Sequence, residues 1–121
     1  MTYKSALGAN GESIACEYLV GKGYKILERN YRKPWGELDI VAVSPGKTLV
    51  FVEVKTVAGI DPDYTAEEQL TQSKLTKLQR TASLYANKYF ERHPDDAGWQ
   101  IDLIAINIVG DEHSVKHYEN I

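Results

Sequence analysis

The chemistry this sequence could carry rests on four residues: Glu37, Asp39, Glu53 and Lys55. Residues two apart on a strand share a face. Glu37 and Asp39 therefore pair in Gly36-Glu37-Leu38-Asp39-Ile40-Val41-Ala42-Val43, and Glu53 and Lys55 in Leu49-Val50-Phe51-Val52-Glu53-Val54-Lys55. Neighbours this apolar place both runs in central strands, where an unpaired carboxylate is costly. Two carboxylates ~4 Å apart repel by about 4 kcal/mol at an effective dielectric of ~20. A hard divalent cation with oxygen ligands offsets that repulsion directly. On spacing alone, the same residues fit equally well a sheet with one wet face, carrying an ordinary cross-strand charge pattern.

The elements that must position them follow from hydrophobic spacing. Residues 5–22 read as a helix, with Ser5 as N-cap, Leu7, Ile14, Ala15, Tyr18 and Leu19 at helical spacing, and Gly23 as the stop. Gly8 and Gly11 allow close packing of its first turns. Residues 24–32 read as a strand, broken at Pro34-Trp35-Gly36. Glu37–Val43 and Leu49–Thr56 are strong strand signals joined by Ser44-Pro45-Gly46-Lys47, which suits a type II turn and makes the two strands an antiparallel hairpin. Residues 57–65 read as a loop, and Thr65-Ala66-Glu67-Glu68 as a capping box opening a short helix. The main helix spans 73–92, with Leu75, Leu78, Ala82, Tyr85, Ala86 and Tyr89 on one stripe. Trp99–Ile108 and Ser114–Tyr118 are the last strands. Three consecutive strands with a tight hairpin cannot all be parallel, so the predicted fold is α/β, a mixed sheet flanked by helices in the order α-β-β-β-α-β-β.

Asp39 followed on the next strand by Glu53-Val54-Lys55 resembles the active-site motif of the PD-(D/E)xK nuclease superfamily. More narrowly, the chain resembles the YraN-type family of small bacterial proteins. The residues that carry this are Gly11-Glu12 with Ala15, Gly23-Tyr24, Asn30-Tyr31-Arg32, Gly36 to Ala42, Phe51 to Lys55, Lys74 and Asp102. The resemblance runs from about residue 8 to the end. It implies a restriction endonuclease-like fold and a metal-dependent nuclease acting on DNA, with structured or junction DNA favoured. Asp39 and Glu53 would then hold Mg²⁺ or Mn²⁺, and Lys55 would be the catalytic cation beside the scissile phosphate. Likeness to junction-resolving relatives adds Glu12 as a further ligand, with a solvated helix glutamate as the alternative, and makes a homodimer an option. Leu38 stands where the motif's name has proline, and no Gln-x-x-x-Tyr follows Gln79, so those relatives' substrate contacts are not carried over.

Length and charge set the frame. The 121 residues, 43% hydrophobic and 26% charged, fit one domain spanning 1–121 and need no disulfide to fold. A lone cysteine, Cys16, no Cys/His cluster, no ~20-residue apolar stretch and no signal-peptide pattern point to a cytoplasmic protein without membrane contact. The net charge of −3 hides two basic segments. Residues 22–33 carry Lys22, Lys25, Arg29, Arg32 and Lys33 against Glu28, and residues 73–92 carry Lys74, Lys77, Arg80, Lys88 and Arg92 against Glu91. They suggest a positive face for nucleic acid, DNA before RNA, with Arg32, Lys33, Lys74 and Lys77 as contacts, unless these cations only solvate the surface. Asp102 reads as a strand-edge charge without a role, His93, His113 and His117 show no ligand spacing, and Tyr85, Tyr89 and Phe90 read as core. The competing function is a non-catalytic nucleic-acid-binding or adaptor module on the same fold. It has no need to keep Asp39, Glu53 and Lys55 together.

Overall fold

The computed structural model describes residues 3–59 and 70–121, with side chains from Asn10 onward. Helix α1 (Tyr3–Gly21) leads into strands β1 (Lys25–Lys33), β2 (Gly36–Val43) and β3 (Thr48–Ala58). Helix α2 (Gln72–Arg92) follows, then β4 (Ala97–Val109) and β5 (Glu112–Tyr118). The strands form one sheet in the order β1-β2-β3-β4-β5. β1, β2 and β3 pair antiparallel, β3 and β4 parallel, and β4 and β5 antiparallel. This is the α/β order and mixed sheet predicted, and it is consistent with a restriction endonuclease-like fold. Among the described residues, no helix is long and apolar enough to cross a membrane.

The helices cover opposite faces of the sheet. Under α1, Ala15, Cys16 and Leu19 meet Ile40, Ala42, Val50, Val52, Ile104 and Ile106. Under α2, Leu78, Ala82 and Ala86 meet Leu38, Val41, Leu49, Phe51 and Ile101. Alternation along β3 explains the division, since Leu49 and Phe51 face α2 while Val50 and Val52 face α1. By the same alternation Glu53 falls on the α2 face.

Two glycines let the helices settle close to the sheet. A Cβ on Gly11 would collide with the Thr56 side chain, and one on Gly36 would collide with that of Thr81. The second contact brings the N-terminal half of α2 down onto the start of β2. Thr71 caps that helix, accepting the Lys74 N–H at 3.2 Å.

Three local expectations are corrected. α1 begins at Tyr3, so Ser5 lies inside it and is not its cap. The β2–β3 turn closes with the Lys47 N–H on the Ser44 carbonyl at 2.9 Å, but positive φ falls on Lys47 (65°) and not on Gly46. A type II turn would need it at Gly46; the loop is instead a three-residue hairpin connection ending in a left-handed residue. β3 also runs on to Ala58, because β4 pairs with it that far. The capping box Thr65-Ala66-Glu67-Glu68 lies outside the described residues.

Candidate functional site

The site forms where two strands part. β2 pairs with β3 from Ile40–Val52 to Val43–Leu49, and the pairing stops short of Asp39. Leu38 and Val41 both pack under α2 although they are three residues apart, so the alternation of β2 is broken between them, at Asp39. On the β1 side, Asn30 takes a positive φ of 53° and leaves Asp39 out of that register too. The backbone N–H of Val54 donates instead to Asp39 Oδ2 at 2.8 Å. The broken ladder is thus completed by a carboxylate, which ties Asp39 to β3 beside Glu53.

The two carboxyls share a hydrogen bond, and both are largely withdrawn from water. Burial raises the pKa of Asp39, against the Val54 N–H, which lowers it. Burial and then the Asp39 charge raise Glu53 from an ordinary 4.5 to about 8. At neutral pH the pair therefore keeps a proton. A cleft of about 300 Å³ opens on them, lined also by Gly36, Glu37, Lys74, Lys77 and Thr81. Lys74, in the first turn of α2, is disfavoured there by the helix dipole, and its charge acts on Glu53 to lower its pKa.

The other sequence-predicted residues divide around this cleft. Glu12, on α1 in the opposite layer, does not line the cleft; burial and then the Asp39 charge raise its pKa, while a hydrogen bond with Asn30 and the Arg29 charge lower it. Lys55 is exposed and does not line the cleft, though its charge also lowers the pKa of Glu53. Exposed Arg32 lies 4.0 Å from Glu37 at the rim. Lys33 lies apart, over the Tyr31 ring at 5.4 Å, in a neighbouring groove. The structure thus brings Asp39, Glu53, Lys74 and Lys77 together in one cleft, leaves Glu12 and Lys55 out of its lining and sends Lys33 elsewhere.

A second cluster went unread in the sequence. Asp102 is no edge charge: β4 lies between β3 and β5, and Asp102 is fully buried there. Its carboxylate accepts from Gln100 Nε2 at 2.8 Å and the Asn120 N–H at 2.9 Å, and bonds His117 Nε2 at 2.7 Å. His117 Nδ1 in turn lies 3.2 Å from the Tyr18 hydroxyl. Burial would raise the Asp102 pKa, but the bonds from His117, Asn120 and Gln100 outweigh it and hold it below the usual carboxylate range. Asp102, His117 and Glu119 place ligand atoms within 4.8 Å of one another, a group that could hold a metal ion. The only sequence signal for it is Asp102 inside the apolar run Ile101–Ile108.

Comparison with known proteins places the chain. The model of the uncharacterised protein family UPF0102 matches residues 11–106. A UPF0102 protein of Syntrophotalea carbinolica is 44% identical over 119 residues, covering 98% of this chain and 93% of that protein. One from Corynebacterium efficiens is 35% identical over 120 residues, covering 99% and 94%. One from Chlorobium limicola is 41% identical over 101 residues, covering 84% and 74%. These matches support the YraN-type resemblance read from the sequence, and the chain belongs to the UPF0102 family.

Proposed function

We propose that the protein is a metal-dependent nuclease that hydrolyses phosphodiester bonds of DNA, with structured DNA favoured. The observation that carries this reading is the Asp39–Glu53 pair, two largely buried carboxyls at the point where β2 leaves β3, facing a cleft with Lys74 and Lys77. A purely structural pair has no reason to be left so poorly compensated, since it costs stability for as long as both groups are ionised.

The donor set suits Mg²⁺ or Mn²⁺: carboxylate oxygens from Asp39 and Glu53 would hold the ion. When bound, such an ion supplies Lewis-acid polarisation of the phosphate and activation of water. The chain's own residues do the rest. The Val54 N–H fixes the orientation of Asp39. Lys74 and Lys77 on the cleft wall, with Arg32 at the rim, hold the flanking phosphates. Lys55, next to Glu53 on β3, stabilises the charge that builds on the scissile phosphate.

The test is cleavage of linear, nicked, flapped and four-way DNA with and without Mg²⁺ or Mn²⁺. Metal-dependent products that disappear in Asp39→Asn and Glu53→Gln support the nuclease. Tight binding with no product under any metal would instead identify a non-catalytic module.

A further inference from the structure

Beyond the carboxylate cleft, α2 carries a stripe that the nuclease reading uses only in part. Lys74, Lys77, Thr81, Tyr85, Lys88 and Arg92 follow one another at steps of three or four residues, so they lie along one face of the helix. The first three line the carboxylate cleft, and the last three line a second groove of about 560 Å³. Both clefts also share the β1–β2 hairpin, with Gly36 and Glu37 in the first and Tyr31 and Lys33 in the second. The two are therefore neighbours along one path. Lys77 and Lys88 are about 16 Å apart along the helix, which is roughly five nucleotides at the ~3.4 Å spacing of a stacked strand.

The second groove combines two kinds of chemistry. Lys33, Lys88 and Arg92 give it positive charge against Glu91, its one acidic member among the described residues. Its other lining is aromatic. Tyr89 and His93 are already stacked, with centroids 4.2 Å apart and planes at 16°. His93 is exposed, and the Tyr89 hydroxyl donates to Asp96 at 2.7 Å, which fixes the tyrosine ring beneath it. At the tip of the β1–β2 hairpin, Trp35 is 49% exposed. A duplex presents phosphates but hides its base faces, whereas unpaired bases need aromatic surfaces on which to stack. Cations interleaved with fixed rings fit the second case.

We infer that this groove binds a single-stranded segment of nucleic acid, its bases extending the Tyr89–His93 stack and its phosphates meeting Lys33, Lys88 and Arg92. Combined with the nuclease reading, on which this part rests, the substrate is a duplex with an unpaired branch, the branch lying in the groove and the scissile phosphate at Asp39 and Glu53.

The test separates the two readings because binding is measured without cleavage. Fluorescence anisotropy in metal-free buffer compares a short labelled single strand with the matching blunt duplex. The single strand should bind more tightly. Lys88→Glu with Arg92→Glu should weaken its binding by a factor of about 10 or more and flatten the salt dependence. His93→Ala should weaken it by a factor on the order of 10 with the salt dependence kept, the mark of lost stacking. Thermal melts establish that each variant is folded, and the two act on different parts of the groove. Equal binding of strand and duplex, or groove variants that bind like the parent, would overturn the inference while leaving metal-dependent cleavage to be judged on its own. Loss of strand binding in these variants without cleavage of any substrate would keep the groove and discard the nuclease.

Discussion

Asp39 and Asp102 stand on the same five-stranded sheet, on strands separated only by β3, yet their surroundings push their carboxyls in opposite directions. Asp102 is the more deeply buried, but every lone pair that needs a donor finds one: Gln100, Asn120 and His117 converge on it. Asp39 has the Val54 N–H and, on its other side, a second carboxyl. Burial alone therefore does not mark a functional acid. What separates the two is compensation, complete at Asp102 and incomplete at Asp39, and the proposed cation and phosphate site rests on that difference.

The largest expected effect breaks the comparison from the structural side. Asp102→Ala leaves three donors without their acceptor, the buried His117 ring among them, and should cost about 3–5 kcal/mol, a fall of roughly 10–20 °C in Tm. Glu53→Gln, which replaces a carboxyl that is costly to ionise with a neutral amide, should leave the Tm unchanged or raise it. Equal losses in thermal melts would mean that the two acids do the same structural work.

The next effect lies in catalysis. Lys55→Met should lower cleavage by a factor on the order of 10² to 10³ while Mn²⁺ affinity survives or rises, because a positive charge beside two carboxylates is gone. Asp39→Asn should lose both cleavage and metal. Cleavage by Lys55→Met at the parent rate would remove Lys55 from the mechanism.

A smaller effect is its pH dependence. Glu53 has a folded pKa raised from 4.5 to about 8, so between those values the native state holds more protons than the unfolded chain. By linkage, stability contributed at this site falls as pH rises through that window. Asp102 behaves oppositely: its folded pKa is depressed, so its contribution is present above the unfolded value of 3.8 and is lost as pH falls through the depressed one. Metal-free melts should show the parent losing stability from pH 4.5 to about 8 relative to Glu53→Gln, and Mn²⁺ should raise the Tm most at the alkaline end. Parallel curves for the two proteins would contradict the shift.

The smallest effect concerns the rim. Arg32→Glu with Lys77→Glu should weaken DNA binding and reduce its salt dependence, each lost phosphate contact lowering the slope by roughly 0.9. Unchanged affinity and slope would make those cations mere surface solvation.

The sequence shows these two acids unequally, for physical reasons. The hairpin of β2 and β3 is legible because Glu37, Asp39, Glu53 and Lys55 interrupt apolar runs at a spacing of two, the period of a strand. α2 is legible from its 3.6-residue stripe. Asp102 is not, because its donors lie at residues 100, 117 and 120, with Tyr18 behind His117, and only the pairing of β4 with β5 and the packing of α1 bring them together. The same limit separates Lys33 from Lys77: both read as basic-segment lysines, but the hairpin and α2 send them to different clefts. The alternation break at Asp39 is equally invisible, since Gly36 to Val43 reads as one continuous strand and the place where it leaves β3 is set by tertiary pairing.

Calorimetric titration of Mn²⁺ into the parent, Asp39→Asn, Glu53→Gln and Glu119→Gln tests the central claim most directly, because the Asp102–His117–Glu119 group offers the rival site. The account predicts that binding is lost in Asp39→Asn and Glu53→Gln and persists in Glu119→Gln. Binding that survives both β2–β3 substitutions and disappears with Glu119 would contradict it.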